Sequence, residues 1–269
     1  MDCETKYPIL LVHGTGFRDR KYLNYWGRIP KALEEHGAKI YYGHQDCWGS
    51  IETNGATLKR NLEEILIKTQ CGKVNIIAHS KGGLDTRYLI SSLGMEQCVA
   101  SLTTMATPHH GSKTIDLLCK LPKWVFWAAA GVTNLFFCIL GDENPDFYTA
   151  SHQFSTEYMK IFNRENPDAP AVYYQSYTAV MASSLSDLFM LLPNLFVRLV
   201  EGENDGLVTP TSAAWTNFRG VLRGSTRRGI SHADEVDIRR MNFTQKKDDA
   251  SDIRCFYINL VAELKAMGL

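Results

Sequence analysis

Short apolar runs alternate with longer amphipathic stretches through the N-terminal part of the chain. An apolar run of about 4–8 residues between turn signals is typical of a buried strand, whereas apolar positions three and four residues apart predict a helix. The pattern predicts strands at 7–13, 39–42, 73–78 and 99–106, and helices at 22–36, 54–68 and 82–93. Alternation of this kind favours the α/β class, with a mostly parallel central sheet flanked by helices.

The pattern changes in the second half of the chain. Trp124–Leu140 carries no charged residue, and Ser186–Val200 is also largely apolar. We predict that about 113–165 forms a helical cap inserted over the sheet, with 183–199 as a candidate second part of the cap. Further elements are predicted as a strand at 171–177, a return of the sheet near 199–208, and a closing helix at 251–267.

The uncharged run at Trp124–Leu140 has three explanations. A membrane-spanning helix needs about 20 apolar residues, whereas this run has 17 and contains Thr133 and Asn134. A buried helix and an exposed lid remain, and we favour the lid because large apolar patches usually bind something. The aromatic side chains that would suit an acyl chain or an oil–water interface are Trp124, Phe126, Trp127, Phe136 and Phe137.

Length and charge narrow the classes of protein. The chain has 269 residues, 45% hydrophobic and 22% charged, which suits one soluble α/β domain spanning 1–269. The formal net charge is zero. No basic face marks a nucleic-acid partner, so none is expected. The oligomeric state is left open.

Seven cysteines are present, an odd number without the closely spaced pairs of a zinc site, and we predict that most are reduced. The N-terminus lacks a basic segment followed by an apolar run and a cleavage site, so no signal peptide is visible. We therefore expect a cytoplasmic protein, or a secreted one if the sequence is a mature form.

The predicted strand at 73–78 leads directly into a serine at a sharp turn before a helix. This strand–turn–helix order is that of a nucleophile elbow, which lifts a serine hydroxyl above the edge of a sheet. Ser80 is the candidate nucleophile, with the small residues Ala78 and Gly82 two positions before and after it. The backbone N–H of Lys81 would face a developing oxyanion at the positive end of the helix. The alternative is a serine in an ordinary turn.

A second oxyanion donor is expected in the loop after the first strand. Gly14 and Gly16 allow the backbone there to approach a ligand closely. The N–H of Thr15 is the candidate and that of Phe17 the alternative, while His13 is expected to be a buried residue that binds loop backbone. The Lys81 side chain is expected to face solvent.

The base and the acid follow from chain order, which in this kind of site is Ser, then Asp or Glu, then His. His232 is selected by elimination, since His79 in the elbow is expected to point away. Asp205, in a turn before Gly206, is the candidate acid that holds the imidazole tautomer. The rivals are Asp116, Asp142, Asp146, Asp168 and Asp187.

Six segments together resemble bacterial true lipases, the group related to triacylglycerol lipases: YPILLVHGTG, AHSKGGLDTRY, ATPHHGS, FSTEYMKIFN, ENDGLV and SHADE. The resemblance implies an α/β-hydrolase fold with a mobile helical lid. It implies hydrolysis of carboxylic esters of fatty acids, on a small-molecule or lipid substrate, with transient contact between lid and lipid interface. It places the triad on Ser80, Asp205 and His232, and oxyanion donors on Thr15 and Lys81, with no cofactor required. Separately from the resemblance, we predict Phe17, Trp124, Trp127 and Phe136 as residues that bind substrate.

The chain departs from that family in three places. The cysteine expected after the NDGLV motif is missing, and so is a histidine-bearing insertion that would hold zinc. A structural calcium ion is the third question. Asp234, two residues after the histidine, and Asp187 occupy places where the resemblance implies ligands, but calcium also needs other oxygens that the sequence does not identify.

Two other functions compete with an ester hydrolase. Another acyl hydrolase (a thioesterase, amidase or polyester hydrolase) would use the same triad with a different pocket. A non-catalytic binding protein on this fold is the remote alternative.

Overall fold

A sheet of six parallel strands forms the centre of the computed structural model, which describes residues 1–19, 24–224, 227–240 and 253–269. The strands are β1 (Ile9–Val12), β2 (Ile40–Tyr42), β3 (Val74–His79), β4 (Val99–Met105), β5 (Tyr173–Ala179) and β6 (Phe218–Leu222). The helices are α1 (Ile29–Glu35), α2 (Ile51–Thr69), α3 (Lys81–Ser91), α4 (Lys113–Leu118), α5 (Lys123–Ile139), α6 (Phe147–His152), α7 (Thr156–Glu165), α8 (Leu191–Val200), α9 (Pro210–Ala213) and α10 (Ile253–Ala266).

The strand order, β2-β1-β3-β4-β5-β6, positions the site. The chain goes from β1 outward to β2 and then returns to the other side of β1, so its direction of travel reverses between β1 and β3. In open parallel sheets such a reversal leaves a crevice at the carboxyl ends of the two strands. The loop after β1 and the turn after β3 both begin there.

Helices cover both faces of this sheet, as the apolar runs predicted. Along β1, Ile9 and Leu11 face the layer of α1 and α10, while Leu10 and Val12 face the layer of α2 and α3. All residues of β1, β3 and β4 are buried. Central strands of a parallel sheet are buried on both sides, so they lack the regular exposed polar positions of a half-buried strand.

The segment predicted as a cap contains four helices, α4 to α7, between β4 and β5. Most of the side chains on α5 and α8 are exposed, including Trp124, Trp127, Leu192 and Leu199. Their assignment to a lid stays a prediction. Among the described residues, we find no helix with the length and apolar character that crossing a membrane would require.

The prediction that the sheet resumes near 199–208 is wrong. Leu192, Leu195 and Leu199 recur at helical spacing and lie on α8, and the last strand is β6, farther along the chain. The first predicted helix also begins later, at α1, because Pro30 in its first turn lacks an N–H and suits a helix start. Residues 22–23 and 251–252 of two predicted helices lie outside the described residues. All seven cysteines are free thiols.

Candidate active site

Ser80 sits at a strained turn between β3 and α3. Its backbone has φ 54° and ψ −130°, a conformation that costs energy for any residue with a side chain and that clusters at functional sites. Three hydrogen bonds hold it: Ser80 N–H donates to Met105 O (2.9 Å), and Thr107 Oγ1 (2.8 Å) and Gly83 N–H (3.1 Å) donate to Ser80 O. The turn therefore fixes the direction of the serine side chain.

The loop after β1 lies directly against this turn. A methyl group built on Gly14 would lie 2.6 Å from Ser80 Cβ, and one on Gly82 would lie 2.4 Å from His13 O. Both contacts are too short for any side chain, so these glycines let the loop and the start of α3 meet. His13 is buried and binds Gly14 O and Gln45 O, as expected for a residue that orders the loop.

The two predicted oxyanion donors flank this contact. Lys81 is the first residue of α3, where backbone N–H groups lack partners within the helix. Thr15 follows Gly14 in the loop and is half-buried, whereas Phe17 is 50% exposed. The structure thus brings the segments of both candidate N–H groups to Ser80, while their role stays a prediction.

The expectation that the Lys81 side chain faces solvent is wrong. Lys81 is 1% exposed, and its Nζ lies 2.5 Å from Asp85 Oδ1. Asn54 donates to the other Asp85 oxygen at 2.9 Å. Burial raises the pKa of Asp85, and the charge and hydrogen bond of Lys81 oppose that rise. A buried ion pair one turn into α3 therefore ties the elbow to α2.

Asp205 and His232 are in contact. His232 Nδ1 lies 2.8 Å from Asp205 Oδ2, and His232 N–H donates to Asp205 O at 2.8 Å. The other carboxylate oxygen accepts N–H bonds from Leu207 and Val208, both at 2.8 Å. Asp205 is completely buried. With Nδ1–H bound to the carboxylate, Nε2 of the imidazole is left as an acceptor.

The rival acids have other partners. Asp116 accepts from Thr156, Asp146 caps the start of α6, and Asp168 accepts from the indole of Trp215. Asp142 lies 3.5 Å from a guanidinium nitrogen of Arg18. Each of these contacts is structural.

The expectation that His79 points away is also wrong. The rings of His79 and His232 have centroids 4.4 Å apart. His79 Nε2 lies 2.9 Å from Glu235 Oε2, and His79 Nδ1 lies 2.6 Å from Tyr25 Oη. Sequence reasoning missed Tyr25 and Glu235. The only sequence signal for Glu235 was its place three residues after His232.

Comparison with known proteins gives the family. A family model described as palmitoyl protein thioesterase matches residues 8–222. Triacylglycerol lipase 2 of Saccharomyces cerevisiae is 30% identical over 269 residues, an alignment that covers 93% of this chain and 77% of that lipase. The chain is a member of the triacylglycerol lipase family of α/β-hydrolases and of the thioesterase family that the model defines.

Other comparisons agree with this membership. A triacylglycerol lipase of Pseudarthrobacter phenanthrenivorans is 32% identical over 178 residues, covering 61% of this chain and 55% of that lipase, so the match spans about half of its length. The crystal structure of the mature Bacillus licheniformis lipase BlEst2 has a TM-score of 0.66 at 22% identity, covering 97% of this chain and 93% of that one. The predictions of an α/β-hydrolase fold, of the lipase family and of a carboxylic-ester hydrolase are confirmed.

The surroundings of the two aspartates predicted to bind calcium fit that ion poorly. Asp187 pairs with Arg239 and also accepts Met190 N–H at 2.9 Å. Asp234 Oδ2 lies 3.3 Å from a guanidinium nitrogen of Arg228. Within the described residues, each carboxylate keeps one buried oxygen without a hydrogen bond. Calcium needs about 6–8 oxygen ligands, and the two guanidiniums would repel it, so no step below involves a metal.

The residues predicted to bind substrate all lie at the surface of the protein. Trp124, Trp127 and Phe136 on α5 are 69%, 61% and 54% exposed. Phe17 projects from the loop after β1. Phe137, in contrast, is buried against Trp48. Among the described residues, no contact is seen between Ser80 and any of the four predicted residues (Phe17, Trp124, Trp127 and Phe136). Their role in binding substrate stays a prediction.

Proposed function

We propose that this protein hydrolyses carboxylic esters of fatty acids through an acyl-enzyme on Ser80. The observation that carries the proposal is the buried Asp205–His232 contact, whose imidazole lies 4.4 Å from the ring of His79, the residue before a serine held at positive φ. A base oriented by a carboxylate, next to a strained serine, is the arrangement that activates a hydroxyl for attack on a carbonyl.

The proposed reaction has two stages. His232 Nε2 takes the proton of the Ser80 hydroxyl as its oxygen attacks the ester carbonyl, and Asp205 stabilises the imidazolium. The N–H groups of Thr15 and Lys81 hold the oxyanion. The tetrahedral intermediate collapses, and His232 gives the proton to the leaving alcohol. Water then attacks the acyl-enzyme by the same route and releases the fatty acid.

A lipid interface is the proposed setting for this reaction. α5 and α8 expose large apolar side chains, including Trp127, Leu192 and Leu199. Lys120 and Lys123 are exposed beside the start of α5. Apolar helical faces bordered by basic residues bind lipid surfaces, so we assign this face to transient contact with the substrate phase.

A second candidate function is hydrolysis of acyl thioesters. It is supported by the match to the palmitoyl protein thioesterase family over residues 8–222. The attacked carbonyl and the acyl group are the same, and only the leaving group differs, so the triad serves both reactions.

Rates on p-nitrophenyl esters from C2 to C16 and on a palmitoyl thioester would test both candidates, with wild type beside Ser80→Ala. Ser91→Ala, at the other end of α3, is the matched control. We expect maximal turnover on long acyl chains and loss of at least about 10³-fold in Ser80→Ala only. Turnover confined to C2–C4 would contradict a fatty-acyl substrate, and faster thioester than ester cleavage would favour the second candidate. Ser80→Ala activity within about tenfold of wild type would contradict the nucleophile.

A further inference from the structure

Three buried polar side chains that contact one another near His232 have no part in the reaction as described. Tyr25, His79 and Glu235 are 3%, 0% and 0% exposed, respectively. Tyr25 Oη contacts His79 Nδ1 at 2.6 Å, and His79 Nε2 contacts Glu235 Oε2 at 2.9 Å. Glu235 Oε2 lies 3.7 Å from His232 Nδ1. One nitrogen or carboxylate oxygen from each of His79, His232 and Glu235 lies within 4.8 Å of the other two.

These contacts join the three segments that carry the reaction. Tyr25 Oη lies beside Gly14, since a methyl group added at Gly14 would be 2.7 Å from it. His79 immediately precedes Ser80 in the elbow. Glu235 follows His232 on the loop that carries the base. The oxyanion loop, the elbow and the base loop therefore meet at one imidazole.

We propose that Tyr25, His79 and Glu235 are positioning residues, a buried hydrogen-bonded tether that keeps the oxyanion loop, the nucleophile and the base in register. Glu235 is a carboxylic acid that donates to His79 Nε2, and His79 Nδ1–H donates to Tyr25 Oη. Tyr25 Oη in turn packs against Gly14. The inference rests on the proposed serine-hydrolase function.

The protonation states follow from the surroundings of the tether. The groups that face Glu235 are His79, His232, Asp205, Asp234, Tyr25 and Tyr257. Burial, and then the charge of Asp205, raise the pKa of Glu235 well above its usual value. Burial, and then the nearby His232, hold the pKa of His79 well below its usual value. The raised pKa of Glu235 favours a protonated, neutral carboxylic acid, and the lowered pKa of His79 favours a neutral imidazole.

This neutral state matters for the base. An ionised Glu235 would compete with Asp205 for the Nδ1–H of His232, and a charged His79 would oppose the imidazolium that forms 4.4 Å away. A protonated Glu235 does neither. The tether then acts only by holding the oxyanion loop in position. The oxyanion N–H groups that the loop carries act mainly on the transition state.

The test compares Tyr25→Phe, Glu235→Gln and Glu235→Leu with wild type. Tyr257→Phe is the matched control, because it removes a buried tyrosine hydroxyl that lacks a hydrogen-bond partner among the described residues. Steady-state kcat and KM on a soluble ester, the pH profile of kcat/KM and the Tm are measured for each. Wild-type turnover and its loss in Ser80→Ala are established first, so that failure of the proposed function is seen separately.

Loss of a whole oxyanion donor costs about 10²–10³ in kcat, so a displaced loop should cost less. We expect Tyr25→Phe to lower kcat by about 10- to 100-fold with KM within about twofold. The kcat of Glu235→Leu should fall at least as far. Glu235→Gln can still donate to His79, so its kcat should stay within about fivefold of wild type and the acid limb of its pH profile should not move.

Tyr25→Phe and Glu235→Leu proteins that keep wild-type kcat and KM would overturn the tether. An acid limb that moves in Glu235→Gln would overturn the neutral acid, since a charge would then have been removed. If Glu235→Leu does not fold, Tyr25→Phe and Glu235→Gln still decide the question, because both are nearly isosteric.

Discussion

Replacing Asp205 with asparagine should remove activity while leaving the fold intact. Asp205 Oδ1 accepts two backbone N–H groups, from Leu207 and Val208, so the amide oxygen of the asparagine must take that place. The NH₂ group then faces His232 Nδ1, which lies 2.8 Å from Oδ2 in the native chain. Two donors cannot face each other. His232 must therefore carry its proton on Nε2, the nitrogen that has to accept the proton of Ser80.

The size of this effect can be set from the chemistry of the site. The wrong tautomer costs about 10⁴-fold in kcat in the serine-protease triad. At about 1.36 kcal/mol per tenfold, this corresponds to about 5.4 kcal/mol of transition-state stabilisation. Because Asp205 and Asn have the same shape and the two backbone bonds survive, we expect KM to change by less than about threefold.

The assay is steady-state hydrolysis of a p-nitrophenyl ester by wild type and Asp205→Asn, with Tm measured on the same samples. We expect kcat to fall by about 10³- to 10⁴-fold and the Tm to remain within about 2 °C, a change of roughly 1 kcal/mol for a chain of this size. Folded Asp205→Asn protein with kcat within about tenfold of wild type would refute the tautomer argument. A loss of activity that accompanies unfolding would not support it.

Two further predictions concern close packing and a buried acid. Gly82→Ala should lower kcat by at least about 100-fold. Its methyl group would lie 2.4 Å from His13 O and would push α3 away from the oxyanion loop. Wild-type kinetics in this variant would contradict the prediction, because they would show that the loop can move to accept the methyl group. Burial raises the pKa of Asp19 from 3.8 to about 7. Between these pH values the folded chain binds more protons than the unfolded chain, so the free energy of unfolding falls as pH rises, by up to about 4 kcal/mol. The Tm of Asp19→Asn should therefore fall less than that of wild type between pH 5 and pH 8, and parallel curves would contradict the buried acid.

The sequence identifies the core of the site because local patterns determine it. The strand before Ser80 is fully buried and mostly apolar, and the contacts that the structure shows at Gly82 require a small residue at that position. Chain order then left few histidines and acids to choose from. Asp205 was selected correctly as the partner of His232, although the element before it is α8 and not the predicted strand.

The rest depends on packing between distant segments, which no local pattern reveals. Tyr25 and Glu235 meet His79 across 54 and 156 residues of sequence. Lys81 looked like a surface residue because lysine is rarely buried, and only its partner Asp85 makes burial tolerable. The arginines beside Asp187 and Asp234 were likewise invisible, since the resemblance concerned only the acids.

Labelling with a fluorophosphonate, followed by peptide mass spectrometry, tests the central claim most directly. The reagent forms a covalent bond only with a serine that a neighbouring base activates. We predict one label per chain, on the peptide that contains Ser80, with labelling abolished in Ser80→Ala and strongly slowed in His232→Ala. A label on any other serine, or a folded wild-type protein that remains unlabelled, would contradict the assignment of Ser80 as the nucleophile.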